Sequence, residues 1–253
     1  MSSLNTADRS SDTAVPYGHR IRAMVVHGYT AVGGLLAFFA LIAVANRRFE
    51  TCVLLLTMAF IVDGTDGFFA RRFRVRQVLP FIDGEILDLV IDFITFAVAP
   101  LFLLWQAHLL PQPALLWAGV ILLAAQYDFA NTHPLKHRGL YTGLPAIWNV
   151  YAFHVFYIRP PEAIQMASIA ILVLLTFTPV HFICLSRLPF LRRLNLLAVT
   201  SYTVACLVVA LGLVKDTRTW ATLAAIYPLW YLGSSFWAHL RYREGRLTLS
   251  SPV

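Results

Sequence analysis

Long apolar segments dominate this chain and constrain its fold more than any other feature of the sequence. Hydrophobic residues make up 58% of the 253 residues, charged residues only 13%, and the mean hydropathy is +0.68. A soluble domain of this length needs a larger charged surface. About 20 apolar residues cross the hydrocarbon core of a bilayer as a helix. We therefore predict an all-α, polytopic membrane helix bundle with about eight spans, over residues 29–46, 51–70, 85–107, 113–130, 143–158, 163–184, 195–214 and 219–239.

The segments outside these spans are polar or amphipathic. Residues 1–16 are rich in Ser, Thr and Asp and lack the basic-then-apolar order of a signal peptide, so we predict a polar N-terminal segment. Residues 17–30 mix basic and apolar side chains, which suits a short interfacial helix or the cationic flank of the first span. We assign residues 17–240 to a single integral-membrane domain and residues 241–253 to a cytoplasmic tail.

The basic residues predict the orientation of the bundle. With an even number of spans both termini lie on one side, which then holds fifteen of the twenty Lys and Arg residues, against five on the other side. Cytoplasmic loops carry the excess of Lys and Arg, so we expect both termini in the cytoplasm. The same excess accounts for the net charge of +7 without a nucleic-acid partner, and anionic lipid headgroups are its natural counter-surface.

Four carboxylates lie inside the predicted second and third spans: Asp63, Asp66, Asp88 and Asp92. One carboxylate deep in a membrane helix costs roughly 2.5–3.5 kcal/mol, so four cost on the order of 10 kcal/mol unless something compensates. Carboxylates this close also repel one another. A bound cation removes both costs, and all-oxygen ligation suits Mg²⁺ or Mn²⁺ rather than zinc.

The spacing of these acids predicts that they meet. Asp63 and Asp66 are three residues apart and Asp88 and Asp92 are four apart, and both spacings place side chains on one helix face. Measured from span ends near Arg71 and Gly84, both pairs lie about 6–12 Å inward at roughly 1.5 Å per residue. Because consecutive spans run antiparallel, we expect two level pairs.

Small residues and an arginine accompany the acids of the second span. Gly64, Gly67 and Ala70 recur every three residues, so one side of the helix lets a neighbour or a substrate approach the backbone closely. Arg71 lies about one turn beyond the acids, where a guanidinium can form two parallel hydrogen bonds with a phosphate. Carboxylates, a divalent metal and an arginine are together typical of phosphoryl chemistry.

Residues 63 to 92 match a known signature. They read Asp63-Gly-Thr-Asp66-Gly67-Phe-Phe-Ala70-Arg71, then twelve residues, then Gly84-x-x-x-Asp88-x-x-x-Asp92. This resembles the signature of the CDP-alcohol phosphotransferases, membrane enzymes that make phospholipids, which is D-x-x-D-G-x-x-A-R, about eight residues, and G-x-x-x-D-x-x-x-D. The spacer from Arg72 to Asp83 is longer than the family's and adds to the cytoplasmic turn.

The resemblance implies a role for each matching residue. Asp63, Asp66 and Asp88 would hold two divalent ions, Mn²⁺ or Mg²⁺, and Asp92 would complete the metal cluster and act as the catalytic base. An alcohol hydroxyl would attack a phosphoryl group of the CDP-linked lipid, and CMP would leave. Five residues would bind CDP-diacylglycerol: Asp66, Gly67, Ala70, Arg71 and Gly84.

Further features resemble the bacterial subgroup of this family that uses choline. They are the longer spacer, the run from Asp83 to Asp88, the eight spans and the stretch Gly143-Leu-Pro-Ala-Ile-Trp148-Asn149. The implied reaction joins CDP-diacylglycerol to choline in the bacterial plasma membrane, at a site that faces the cytoplasm. Aromatic faces and a carboxylate are good hosts for a quaternary ammonium, although aromatic residues are also ordinary at membrane interfaces. Six residues around the fourth and fifth spans are the choline-binding candidates: Tyr127, Asp128, Tyr141, Trp148, Asn149 and Tyr151.

The sequence leaves other functions open. A sibling enzyme would use serine, glycerol phosphate or inositol phosphate as acceptor, and the arginines between 71 and 76 would suit a phosphorylated acceptor. A buried ion-pair network is a poor alternative, because few basic residues lie at the depth of the acids. An ion- or proton-coupled transporter also uses intramembrane acids, and it predicts transport without metal dependence or release of CMP. The resemblance further implies that the chain can form a homodimer.

Overall fold

Helices make up most of the described structure. The fold comes from a computed structural model, which describes residues 16–131, 139–184 and 192–245. The predicted N-terminal segment and most of the predicted tail lie outside these residues. In chain order the elements are α1 Tyr17–Ala45, α2 Phe49–Arg72, α3 Val75–Val78, α4 Gly84–Asp92, a π-helical segment Phe93–Val98, α5 Ala99–Gln106, α6 Ala114–Ala130, β1 Leu140–Thr142, α7 Trp148–Ile158, α8 Glu162–Thr176, β2 His181–Ile183, α9 Arg192–Ala210, α10 Thr217–Ala224 and α11 Ile226–Arg243.

Among the residues that the structure describes, four helices are long and apolar enough to cross a membrane. They are α1, α2, the continuous helix Gly84–Gln106 and the stretch Arg193–Ala210 of α9. These helices contain most of the first, second, third and seventh predicted spans, so the prediction of a helical membrane protein is confirmed at this level. The helices α6 and α8 are apolar but shorter. The count of eight spans and the side of the termini stay predictions.

Two predicted spans begin or end differently in the structure. The span expected from residue 143 has a helix only from Trp148, because Gly143 adopts a φ of +88° and donates its N–H to the Val180 carbonyl at 2.9 Å. The span expected to residue 184 ends as a helix at Thr176. Pro179 follows, and proline removes a backbone donor that a helix needs. The strand β2 then departs from the all-α prediction.

Two further differences concern helix continuity. The expected interfacial helix over residues 17–30 is part of α1, which runs unbroken for 29 residues. At roughly 1.5 Å per residue, α1 is longer than a hydrocarbon core of about 30 Å requires. The eighth predicted span is divided at Ala225 into α10 and α11.

α1 packs closely on its neighbours because small residues recur along one face. Residues spaced alternately three and four apart lie in a stripe on one face of a helix. Small side chains on that face let a second helix approach closely. α2 packs along this stripe, and Ile91 of α4 lies against Gly33. The stripe consists of Ala23, Val26, Thr30, Gly33, Ala37, Ala40 and Val44.

The twelve-residue spacer between the two acid pairs forms α3 and a helix cap. Val75 and Leu79 are buried against the first turns of α1. Asp83 accepts hydrogen bonds from the N–H groups of Glu85 at 3.0 Å and Ile86 at 3.2 Å, which satisfies free donors at the start of α4. The spacer therefore fixes where α4 begins.

The strands β1 and β2 belong to two connecting segments that are far apart in sequence, and their pairing brings these segments together. They pair antiparallel, with Leu140 opposite Ile183. α11 supports this small sheet through several hydrogen bonds, among them one from the His181 N–H to Nδ1 of His239 at 3.1 Å. Ile183 donates its N–H to the Ser235 hydroxyl at 3.2 Å, and the Tyr231 hydroxyl donates to the Ile183 carbonyl at 3.2 Å. The last helix thereby contributes to the structure around β1.

Candidate active site

The acids of α2 and α4 meet in one pocket. Carboxylate oxygens of Asp63, Asp88 and Asp92 lie within 4.8 Å of one another, and all three residues are half-buried. Asp66 is 6% exposed and interacts with Asp88 and the Thr30 hydroxyl. Asp63 interacts in turn with Asp92. The pairs are therefore 63 with 92 and 66 with 88, which is the level arrangement that the spacing predicts.

The donor set of this pocket fits a divalent cation. Among the described residues, neither Asp63 nor Asp92 has a basic side chain within 4.0 Å, and the ion pair found is Arg76–Glu85 on the surface. A buried ion-pair network therefore does not explain these two acids. Carboxylates held this close repel unless a cation lies between them, and oxygen ligands are those that Mg²⁺ and Mn²⁺ prefer.

Uncharged residues complete the wall of the pocket. α1 contributes Thr30 and Gly33, and the π-helical segment contributes Thr95. An added Cβ at Gly33 would lie 3.0 Å from Cγ2 of Ile91, so a side chain there would push α4 away. Thr30, Gly33 and Thr95 were not predicted as site residues, because none of them carries a charge. The available signal was the periodicity of small residues in α1.

A hydroxyl pair fixes how α1 and α2 face each other beside the acids. The Tyr29 hydroxyl and Thr65 Oγ1 are 2.7 Å apart, and Thr65 also donates to the Ile61 carbonyl at 2.8 Å. The Tyr29 ring packs edge-on against Phe69, with ring centroids 5.6 Å apart. Thr65 lies between the first two aspartates in sequence, so this contact holds their helix in one rotational setting.

The arginine of the motif folds back over its glycine. An added Cβ at Gly67 would lie 3.2 Å from Nη1 of Arg71, and the Arg71 side chain is exposed. The positive charge of Arg71 reaches Asp66. Ala70 packs towards the cluster formed by α3 and the start of α1. Ala70 thus contacts the neighbouring helices, whereas the Arg71 side chain lies over Gly67.

Gly84 begins α4 in close contact with α1. An added Cβ at Gly84 would lie 3.0 Å from Cε1 of His27. His27 Nε2 is buried and has no hydrogen-bond partner among the described residues. A side chain at position 84 would therefore require the His27 ring to shift by a few tenths of an ångström.

Tyr141 is the choline candidate that the structure brings within electrostatic reach of the acids. It lies on β1, and the charge of Asp63 reaches its hydroxyl. Burial raises the pKa of Tyr141 well above its usual value of 10, and the neighbouring Cys184 and Asp63 add to this increase. Tyr141 therefore stays protonated, and its hydroxyl accepts a hydrogen bond from the Cys184 thiol at 3.7 Å.

Three other aromatic and polar candidates are engaged away from the aspartates. Tyr127 is 48% exposed and packs against Phe177, with ring centroids 4.7 Å apart. Trp148 is 5% exposed and packs edge-on against Tyr151. The Tyr151 hydroxyl lies 3.3 Å from Ser168 Oγ of α8. These contacts are those of helix packing.

The remaining two candidates have different surroundings. Asp128 accepts a hydrogen bond from the Ala146 N–H at 2.8 Å, which ties the end of α6 to the segment before α7. Asn149 lines a second pocket between α2 and α7. The six candidates therefore do not form one group.

The helix changes type immediately after Asp92. Residues Phe93–Val98 are π-helical, and the Thr95 hydroxyl donates to the Ile91 carbonyl at 3.1 Å. Single π-helical turns inside α-helices occur frequently at functional sites. The wider turn sets the rotation of Asp92 relative to α5, and it was not predicted from the sequence.

Known proteins resemble this chain over most of its length. The family described as CDP-alcohol phosphatidyltransferase matches residues 28–191. The phosphatidylcholine synthase of Agrobacterium fabrum is 34% identical over 221 residues, which cover 86% of this chain and 90% of that protein. The phosphatidylcholine synthases of Rhizobium meliloti and Pseudomonas aeruginosa are 34% and 31% identical over 219 residues, again 86% of this chain and 90% of each relative. The chain therefore belongs to the CDP-alcohol phosphatidyltransferase family and is a phosphatidyltransferase enzyme.

Proposed function

We propose that this chain is a phosphatidylcholine synthase, which transfers the phosphatidyl group of CDP-diacylglycerol to choline and releases CMP. The observation that carries the proposal is the convergence of Asp63, Asp88 and Asp92 within 4.8 Å, in a chain 34% identical to enzymes named phosphatidylcholine synthase. The acid cluster supports phosphoryl transfer. The relatives support choline as the acceptor.

The four aspartates are the proposed ligands of the metal, with two ions of Mn²⁺ or Mg²⁺ expected. A bound divalent ion neutralises negative charge that builds on the phosphates during transfer. Asp66 is buried and interacts with Thr30 and Asp88, so its position is fixed before substrate arrives. Asp63, Asp88 and Asp92 are half-buried and remain open to the pocket.

Asp92 is the proposed base. The choline oxygen forms a bond to the phosphorus that carries diacylglycerol, and the hydroxyl proton passes to the Asp92 carboxylate. The phosphorus–oxygen bond to CMP breaks, and CMP leaves with the bonding electron pair. The π-helical segment that follows sets the rotation of Asp92, and Asp63 on the facing helix lies within 4.8 Å of it.

The exposed end of α2 is the proposed binding site for the CDP part of the substrate. Arg71 can form two parallel hydrogen bonds with the diphosphate, and Gly67 lets the diphosphate approach the backbone. The family resemblance adds Gly84, Ala70 and Asp66 to this proposed binding site. Because the acids lie only a turn or two from the ends of apolar helices, the acyl chains can stay in the bilayer during transfer.

The proposed setting is the bacterial plasma membrane, with the site facing the cytoplasm. The excess of basic residues on the side of Arg71 supports this orientation. Tyr141 is the proposed hydrogen-bond donor on the acceptor side of the pocket, since Asp63 lies within electrostatic reach of it. A homodimer is compatible with the family resemblance.

Purified protein in detergent tests this proposal directly. The reaction would contain CDP-diacylglycerol, Mn²⁺ and labelled choline, and both CMP and labelled lipid would be measured. Parallel reactions would contain EDTA, the Asp92→Asn variant, or serine, glycerol phosphate or inositol phosphate in place of choline. Glu85→Gln is the matched control, because Glu85 is an exposed acid of the same helix.

We expect metal-dependent phosphatidylcholine formation that is lost in Asp92→Asn and retained in Glu85→Gln. Release of CMP with another alcohol only would exclude choline while keeping the enzyme class. Absence of CMP with every acceptor, from folded protein, would contradict the proposal and favour an ion-coupled transporter, which transport assays in vesicles would then detect.

A further inference from the structure

A second pocket lies between α2, α5, α7 and α9. Three aromatic rings line it, those of Phe60, Phe153 and Tyr202, together with Asn149. Among the described residues, no acidic or basic side chain lines this pocket. It is therefore an aromatic chamber with a few uncharged polar groups.

The ring of Tyr202 is steeply inclined to the rings of Phe60 and Phe153. The plane of Tyr202 makes 89° with that of Phe60 and 72° with that of Phe153, at centroid distances of 6.5 and 6.4 Å. Rings inclined in this way border the same space from different directions. Several aromatic walls around one volume are the arrangement that holds a quaternary ammonium, which has no N–H to donate and is attracted to ring faces.

The polar atom of this pocket argues against an acyl chain as its occupant. Asn149 Oδ1 is buried and has no hydrogen-bond partner among the described residues. A hydrocarbon chain would leave this oxygen without compensation, which is unfavourable in an apolar environment. The methyl groups of a quaternary ammonium carry partial positive charge and would compensate it.

One face of α2 lines both pockets. Leu56, Phe60 and Asp63 follow each other at four and three residues, so their side chains share this face. Phe60 lines the aromatic pocket and Asp63 the aspartate pocket, about 4.5 Å further along the axis at roughly 1.5 Å per residue. Phe60 also packs against Phe96, which follows Thr95 of the aspartate pocket. The two pockets are therefore neighbours.

We propose that the aromatic pocket binds the trimethylammonium group of choline, with its hydroxyl directed towards Asp92. This inference rests on the proposed function and identifies the acceptor subsite within it. Two carbons separate the nitrogen and the oxygen of choline, so a cation at the level of Phe60 places the hydroxyl near the level of Asp63.

Two phenylalanines of α7 provide a matched test. Phe153 and Phe156 are 5% and 6% exposed, and of the two only Phe153 lines the pocket. We expect Phe153→Leu to raise the KM for choline about 3- to 30-fold, which corresponds to the roughly 0.5–2 kcal/mol of a cation–aromatic contact. Phe60→Leu and Tyr202→Leu should act in the same direction. The KM for CDP-diacylglycerol should stay unchanged in each, and Phe156→Leu should leave both values unchanged.

A second acceptor distinguishes recognition of charge from general damage. The carbon analogue of choline, in which carbon replaces the nitrogen, has the same shape without the charge. The wild type should prefer choline, and Phe153→Leu should reduce this preference. Thermal unfolding would show which variants fold, and the three ring variants are independent of one another.

The outcomes distinguish a failure of the aromatic choline subsite from a failure of the proposed function. If the wild type makes phosphatidylcholine and every folded ring variant keeps its KM for choline, the aromatic subsite is wrong and the proposed function stands. An equal loss with both acceptors would likewise assign the rings to packing only. If the wild type makes no phosphatidylcholine from choline, both the function and the subsite are overturned.

Discussion

Asp63 of α2 and Asp92 of α4 face each other across the pocket, with carboxylate oxygens within 4.8 Å. Among the described residues, neither has a basic side chain within 4.0 Å. Two carboxylates this close repel when both are ionised. The stability of the folded protein should therefore depend on the cation more strongly than on any contact between the two helices at this level.

The first prediction concerns this dependence on metal. A divalent ion at 100 times its Kd should stabilise the wild type by about 2.7 kcal/mol. In EDTA, Asp63→Asn should unfold at a higher temperature than the wild type, because one of the repelling charges is gone. In Mn²⁺ the order should reverse. Thermal unfolding in detergent measures both values, and an Asp63→Asn protein that responds fully to Mn²⁺ would contradict the assignment.

The second prediction separates catalysis from binding at Asp92. Loss of a general base lowers a rate by about 10²–10⁴-fold. Asp92→Asn should show a fall in kcat at least this large, because Asp92 is also a proposed metal ligand. Binding of CDP-diacylglycerol to Arg71 should persist, and calorimetric titration would detect it. A variant that retains more than about a tenth of the wild-type kcat would exclude Asp92 as the base.

The third prediction compares two adjacent glycines of α1. An added Cβ at Gly33 would lie 3.0 Å from Ile91 Cγ2, whereas at Gly34 the nearest Ile91 atom would be 3.6 Å away. Gly33→Ala should therefore shift α4 and lower activity, at a stability cost of about 1–3 kcal/mol. Gly34→Ala makes only ordinary contact and should behave as the wild type. Equal activity of the two variants would show that α4 accommodates the added methyl group at position 33 and would contradict the prediction.

The fourth prediction tests the strained turn before α7. Gly143 has a φ of +88°, and an added Cβ would lie 2.2 Å from the Thr176 carbonyl oxygen. Gly143→Ala should destabilise the protein by at least about 1–3 kcal/mol, since both the backbone and the contact oppose it. Gly119→Ala is the control, because its site in α6 has no atom within 4 Å. Thermal unfolding of the two variants should differ clearly in midpoint.

The acid pairs could be predicted from sequence because their positions follow from helix geometry alone. Spacings of three and four residues place Asp63 with Asp66 and Asp88 with Asp92, and the antiparallel connection places the pairs at one level. The four longest apolar helices followed from the same reasoning. Their roles as ligands and base stay predictions until the measurements above are made.

Other features depend on contacts between distant parts of the chain, which periodicity does not report. Each strand of the small sheet has three residues, and Leu140 pairs with Ile183, far along the chain. The start of α7 depends on a hydrogen bond from Gly143 to Val180. The choline candidates were chosen for residue type near a membrane interface, and residue type does not distinguish a packing tyrosine such as Tyr151 from a binding one.

In the π-helical segment Phe93–Val98, the number of residues matters as much as which residues they are. Successive residues of an α-helix are rotated by about 100°, at 3.6 residues per turn. Deletion of one residue between Asp92 and Leu103 would let the segment return to α-helical geometry. Either Asp92 would then rotate out of the aspartate pocket or Leu103 would rotate out of the aromatic one. Insertions and deletions here should therefore be far more damaging than apolar substitutions at the same positions.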